Sequence, residues 1–153
     1  MERSLLLVSV ANEVAALDAG IVRSVVEIDD VTPVPQAPPH VAGLAALRSR
    51  AMVVIDCRRS IRPELPEAET GESRSAVVVE LDDFLYALLV DRVEEVILFD
   101  GEPRALRTTL DAGWARTTSG IVETDAGPAL MLAPSAIVKA DTRLPGGNFR
   151  NYT

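Results

Sequence analysis

Runs of four to seven residues rich in Val, Ile and Leu recur along the chain, each ended by turn residues. Runs of that length suit strands and fall short of ordinary helices. They predict strands over Leu5–Val10, Val14–Leu17, Val22–Ile28, Met52–Cys57, Ala76–Leu81, Leu85–Val90, Val93–Phe99, Gly120–Glu123 and Ala129–Leu132. Asn12-Glu13, Asp82-Asp83 and Asp125-Ala126-Gly127 separate paired runs as turns. Many short strands at close spacing imply a small barrel or sandwich, because closure removes exposed sheet edges. Helix signals are few. Val41–Leu47 predicts a short turn of helix after Pro38-Pro39, and Pro134 opens a brief C-terminal helix through Val138.

The chain's 153 residues suit one domain able to bury its own core. No stretch approaches the ~20 apolar residues that cross a bilayer. The opening Leu5-Leu6-Leu7-Val8 is read as a first strand and not a secretory signal, since Asn12-Glu13 stand where small cleavage-site residues belong. Four prolines between Val31 and Pro39 force an extended crossover between strands. Pro63 to Ser73 carries Glu64, Glu67, Glu69 and Glu72 with no basic residue, which marks a joint between two halves near 62–75. The halves echo each other. Val22-x-x-Val25-x-Glu27-Ile28 resembles Val90-x-x-Val93-x-Glu95-Val96, and Gly43 leads to Met52 as Gly120 leads to Ala129. The division is therefore one domain over 1–138, built of two similar small barrels, and a polar, flexible tail over 139–153.

The chemical inventory is sparse. Fifteen basic and 23 acidic residues give a net charge of −8, which repels phosphate backbones and excludes general nucleic-acid binding. Cys57 is the only cysteine and His40 the only histidine, so no internal disulfide forms and a reducing cytoplasm is the natural compartment. The same scarcity argues against a metal site and a cofactor. Neither a phosphate-binding glycine loop nor a nucleophile-elbow motif occurs. A Cys57–His40 nucleophile pair would need a third, orienting group that the sequence does not supply, so Cys57 reads as an inert buried thiol. Asp82-Asp83 and Glu94-Glu95 are neighbours pointing to opposite faces of a strand, unsuited to joint acid–base work. Charge is unevenly spread: Arg48, Arg50, Arg58, Arg59 and Arg62 face one acid, Asp56, whereas Glu80 to Glu102 is strongly acidic. That distribution suits docking against partners of complementary sign.

Taken in order, these residues resemble the CheW-like family of bacterial chemotaxis coupling proteins. The family's V-x-E-V strand, Pro-rich crossover, G-x-x-N-L-R-G turn and D-L-R strand end have counterparts in Val22-Arg23-Ser24-Val25, Pro33 to Pro39, Gly43-Leu44-Ala45-Ala46-Leu47-Arg48-Ser49 and Ile55-Asp56-Cys57-Arg58. Val90-Asp91-Arg92-Val93 and Ser119-Gly120-Ile121-Val122 match its second half. Departures stand at Ser24 for Glu, Ala46 for Asn, Ser49 for Gly and Cys57 for Leu, which mark a divergent member and put the turn at Ser49 in question. The resemblance implies an all-β fold of two five-stranded, SH3-like barrels around a shared core. It also implies a non-enzymatic, cytoplasmic adaptor with no direct insertion into the membrane. Its expected partners are the cytoplasmic tip of a chemoreceptor and the regulatory domain of a CheA-type histidine kinase. Val22, Gly43 and Arg48 are the partner-binding positions carried over. The alternatives are a degenerate module of this family with a different protein partner and, more remotely, a small barrel enzyme using Cys57 or His40.

Overall fold

The computed structural model describes residues 2–67, 74–105 and 111–140. In chain order, the strands are β1 (Glu2–Val10), β2 (Glu13–Asp18), β3 (Val22–Ile28), β4 (Val41–Leu47), β5 (Arg50–Asp56), β6 (Arg74–Leu81), β7 (Phe84–Leu89), β8 (Arg92–Asp100), β9 (Thr118–Thr124) and β10 (Gly127–Leu132). Three short helices join them: α1 (Cys57–Ile61), α2 (Ala112–Thr117) and α3 (Pro134–Lys139). The strands form two five-stranded sheets, ordered β8-β1-β2-β10-β9 and β3-β6-β7-β5-β4. The all-β architecture implied by the sequence is therefore what forms. The tail beyond Ala140 and most of the acidic stretch expected as a joint lie outside the described residues.

The two sheets are duplicates that exchange hairpins. The β1–β2 hairpin joins β8, β9 and β10, while β6–β7 joins β3, β4 and β5. Their registers superpose with a constant shift of 71: Val10 faces Glu13 as Leu81 faces Phe84, and Val8 pairs with Val93 as Val79 pairs with Val22. In the second strand pair of each sheet the shift is 77, so that Gly43 corresponds to Gly120 and Met52 to Ala129. Each sheet therefore draws strands from both sides of residues 68–73.

This exchange explains the unbroken apolar runs. In β1, Leu6, Val8 and Val10 pack into a central core shared by both sheets, while Leu5 and Leu7 pack into a core confined to their own sheet. The pattern repeats in β6 and β7, where Val77, Val79, Tyr86 and Leu88 face the central core and Ala76, Val78, Leu85 and Ala87 the other side. Strands buried on both faces read as continuous hydrophobic runs instead of alternating ones.

Two local expectations are corrected. Val41–Leu47 is strand β4, paired with β5 from Val41–Ile55 to Leu47–Arg50, and not a turn of helix. Its alanines favour a helix locally, but cross-strand pairing decides. The strand expected to reach Cys57 stops at Asp56, whose carboxylate accepts from the Arg59 backbone N–H at 3.4 Å and starts α1. Asp111 caps α2 in the same way through Trp114 N at 2.9 Å. The expected C-terminal helix forms as α3 with Pro134 in its first turn.

Candidate functional site

Val22, Gly43 and Arg48 all fall on the β3-β6-β7-β5-β4 sheet, on the strands that form its two edges. Val22 opens β3, half-buried against the central core, and the ladder to β6 slips by one residue between Val22 and Ser24. Such a bulge re-aims the side chains around it. Ser24, at the position of the family's glutamate, has a buried hydroxyl with no hydrogen-bond partner.

Gly43 lies on the opposite edge with φ +150°, where a Cβ would collide with the carbonyl group of Thr32. The close approach is required by the sheet itself. Thr32, at the end of the crossover from β3, exchanges backbone hydrogen bonds with Leu44 at 2.8 and 2.9 Å, which fastens the crossover to the outer edge of β4.

Arg48 and Ser49 form the two-residue turn between β4 and β5, at φ +50° and +70°. Ala11-Asn12 and Asp82-Asp83 make the other two tight hairpin turns with the same paired positive φ, one residue earlier than expected in the first case. Two central residues with φ > 0 match the right-handed twist of a hairpin and normally draw Asn or Gly. Here the turn survives without the family's glycine, and Arg48 projects from its tip. Arg48 and Arg50 are exposed and make no ion pair among the described residues.

The remaining arginines of the basic stretch have structural employment. Arg58 donates to Pro66 O at 2.7 Å and Arg59 to Leu65 O at 3.0 Å, pinning the loop after α1. Arg62 pairs with Asp111 at 2.8 Å. Asp56, the acid a structural Arg48 would need, is buried and paired with Arg74 at 3.5 Å instead. Neither Arg74 nor the capping role of Asp56 was anticipated; an Asp three residues before Arg59 at a strand end was the available signal.

The two reactive side chains are sequestered. Cys57 is fully buried, and burial, reinforced by the nearby Asp56 carboxylate, pushes its thiol well above the usual range. His40 is also buried, with Nε2 2.8 Å from the carbonyl oxygen of Val138. Burial holds its imidazole below the ordinary value, and Arg116 adds to that. No hydrogen bond joins Cys57 to His40. Among the described residues, no three His, Cys, Asp or Glu side chains converge as a metal site, and no helix is long and apolar enough to cross a membrane.

The exposed side chains gather instead at sheet edges and turns, which defines a module with docking surfaces arranged around a shared core. The CheW-like domain model matches residues 4–142, and the chain belongs to that family. The chemotaxis protein CheW of Thermotoga maritima is 26% identical over 141 residues, covering 92% of this chain and 91% of that protein. The chemotaxis protein CheW of Treponema pallidum is 27% identical over 92 residues, 59% of this chain and only 54% of the relative's length. Among solved structures, the scaffolding protein TtCheW from Thermoanaerobacter tengcongensis matches with a TM-score of 0.73 at 27% identity, covering 87% of this chain and 90% of that one.

Proposed function

We propose that this protein is a non-enzymatic cytoplasmic adaptor that couples the cytoplasmic tip of a chemoreceptor to the regulatory domain of a CheA-type histidine kinase. Family membership supplies the role, and the turn at Arg48 carries its assignment to residues. An arginine held at φ > 0 on a hairpin tip, with no carboxylate partner among the described residues, contributes little to the fold and is presented to a partner. Val22 shapes the neighbouring edge, and Gly43 sets the close approach of crossover and β4 on which the turn's strand depends. The burial of Cys57 and His40 favours this reading over an enzyme.

The test is reconstitution with purified components. The protein, a receptor cytoplasmic fragment and the cognate kinase should form a ternary complex in which kinase recruitment depends on the adaptor. Binary mixtures that assemble no differently without it would refute the coupling role. The lost Glu, Asn and Gly at Ser24, Ala46 and Ser49 favour, as a second reading, a module of the same family serving another protein partner. That reading predicts binding to neither component.

A further inference from the structure

The hairpin-exchanged duplication makes β3 and β8 equivalent edge strands, and they differ where it matters for an edge. Val25 of β3 corresponds to Val96 of β8, and Glu27 to Leu98. On β3 the outward margin is closed off by charge: Glu27 accepts from the Ser75 hydroxyl at 2.9 Å, and Arg23 pairs with Glu80 at 3.6 Å. On β8 the corresponding margin is apolar, with Val96 60% and Leu98 67% exposed, the two most exposed large hydrophobic side chains described. Charged side chains are the usual protection of a sheet edge, so the leucine leaves this edge receptive to another strand.

The backbone is also available. β8 ends its sheet, and no hydrogen bond from the described residues reaches its outer side between Val93 and Phe99. Its irregularity lies before Val96, because the register with β1 shifts between Leu6 and Val8; from Val96 to Asp100 the pairing is regular. That leaves a straight edge on which Val96 and Leu98 fall on one face. The flanks are acidic. Glu94 and Glu95 are exposed before the apolar pair, and the Ser9 hydroxyl, at 2.7 Å, with Arg92 holds the Glu94 carboxyl below the usual range and so ionised.

We propose that the Val96–Phe99 edge of β8 is a strand-addition site for an extended segment of a partner protein that carries apolar residues at alternate positions and Lys or Arg at its ends. Main-chain pairing would supply affinity, the Val96–Leu98 face would select apolar side chains, and the glutamates would select basic flanks. A second copy of this chain is the poorer occupant, since each copy carries a net charge of −8. The proposal stands whether or not the protein couples receptor to kinase.

The experiment uses the whole protein and the synthetic peptide KRVTVTVRK, followed by amide NMR. The expected result is saturable binding that shifts the Val96–Phe99 amides and slows their hydrogen exchange. Leu98→Glu should weaken binding at least tenfold, and Val96→Thr, which keeps the strand propensity, should weaken it less. The same peptide N-methylated over its central five residues should not bind. Absence of binding at millimolar peptide overturns the proposal. So does binding that is indifferent to Leu98→Glu, or equal binding of the N-methylated peptide. A dimer of the free protein in sedimentation that Leu98→Glu dissolves assigns the edge to a second copy and also overturns it.

Discussion

The β4–β5 turn and the β9–β10 turn occupy equivalent places in the two sheets, and so do His40 and Thr117, Asp56 and Ala133, Glu27 and Leu98. The carbonyl oxygen of His40 accepts from Asp56 N at 2.8 Å, as that of Thr117 accepts from Ala133 N at 2.8 Å. The backbone plan is thus duplicated while the side chains have diverged. Where both copies keep a residue, as with Gly43 and Gly120, each glycine abuts the crossover that fastens to its strand, Thr32 in one sheet and Arg104 in the other. Where they differ, one copy has acquired a buried charge, a titrating ring or a projecting arginine. Shared positions therefore report on folding, and divergent ones on what each sheet does.

The largest break in the comparison is expected at Asp56. Its carboxylate caps α1 and pairs with Arg74 in a buried setting, whereas Ala133 offers α3 no side-chain cap. Asp56→Ala leaves Arg74 without its partner and the helix uncapped, and should cost ~3 kcal/mol in urea unfolding. A loss below ~1 kcal/mol would show that α1 needs this residue no more than α3 does.

Gly43→Ala should cost about 2–4 kcal/mol, because it combines a disfavoured φ with a clash against backbone atoms. Gly120→Ala, where a methyl meets Arg104 O at 2.8 Å without the positive φ, should cost less in the same assay. Equal losses would mean that steric closeness alone sets the requirement.

His40 gives the two sheets different responses to acid. Burial keeps the folded-state imidazole neutral, so near pH 6.5 the unfolded chain takes up a proton that the folded one refuses. Stability is then fully present above pH 6.5 and falls as pH drops toward 5, by at most ~1.4 kcal/mol per pH unit. His40→Gln retains a donor for Val138 O and should flatten this slope. A slope that persists in the variant assigns the effect elsewhere.

Much of this duplication is legible in the sequence. The continuous Leu5–Val10, Ala76–Leu81 and Leu85–Val90 runs read as strands because both faces are buried, and the Gly43–Gly120 correspondence holds because a glycine marks a backbone contact. The pairing of Val22 with Val90 is off by three: the structure equates Val22 with Val93. Repeated valines permit that slide, and the bulge before Val96 hides the true register. β4 misleads because Val-Ala-Gly-Leu-Ala-Ala-Leu has no clear period, so only its partner strand decides its form. Val22, Gly43 and Arg48 are found through the family pattern, whereas nothing local in Val96-Ile97-Leu98 announces that β8 is an edge.

A smaller effect tests the same contrast in reverse. Ala133→Asp supplies α3 with the cap that α1 already has and should raise stability by about 0.5–1 kcal/mol. No gain would indicate that Pro134 already fixes the helix start.

The most direct measurement is the affinity of the Arg48→Ala protein for the receptor fragment and the kinase regulatory domain, taken alongside its unfolding midpoint. Alanine keeps the same positive-φ strain as arginine at this turn and removes no ion pair among the described residues, so stability should stay within ~0.5 kcal/mol. Binding should weaken at least tenfold, the loss of ~1.4 kcal/mol or more expected of an arginine anchor. Unchanged affinity for both partners at an unchanged midpoint would contradict the assignment of Arg48 as a docking residue.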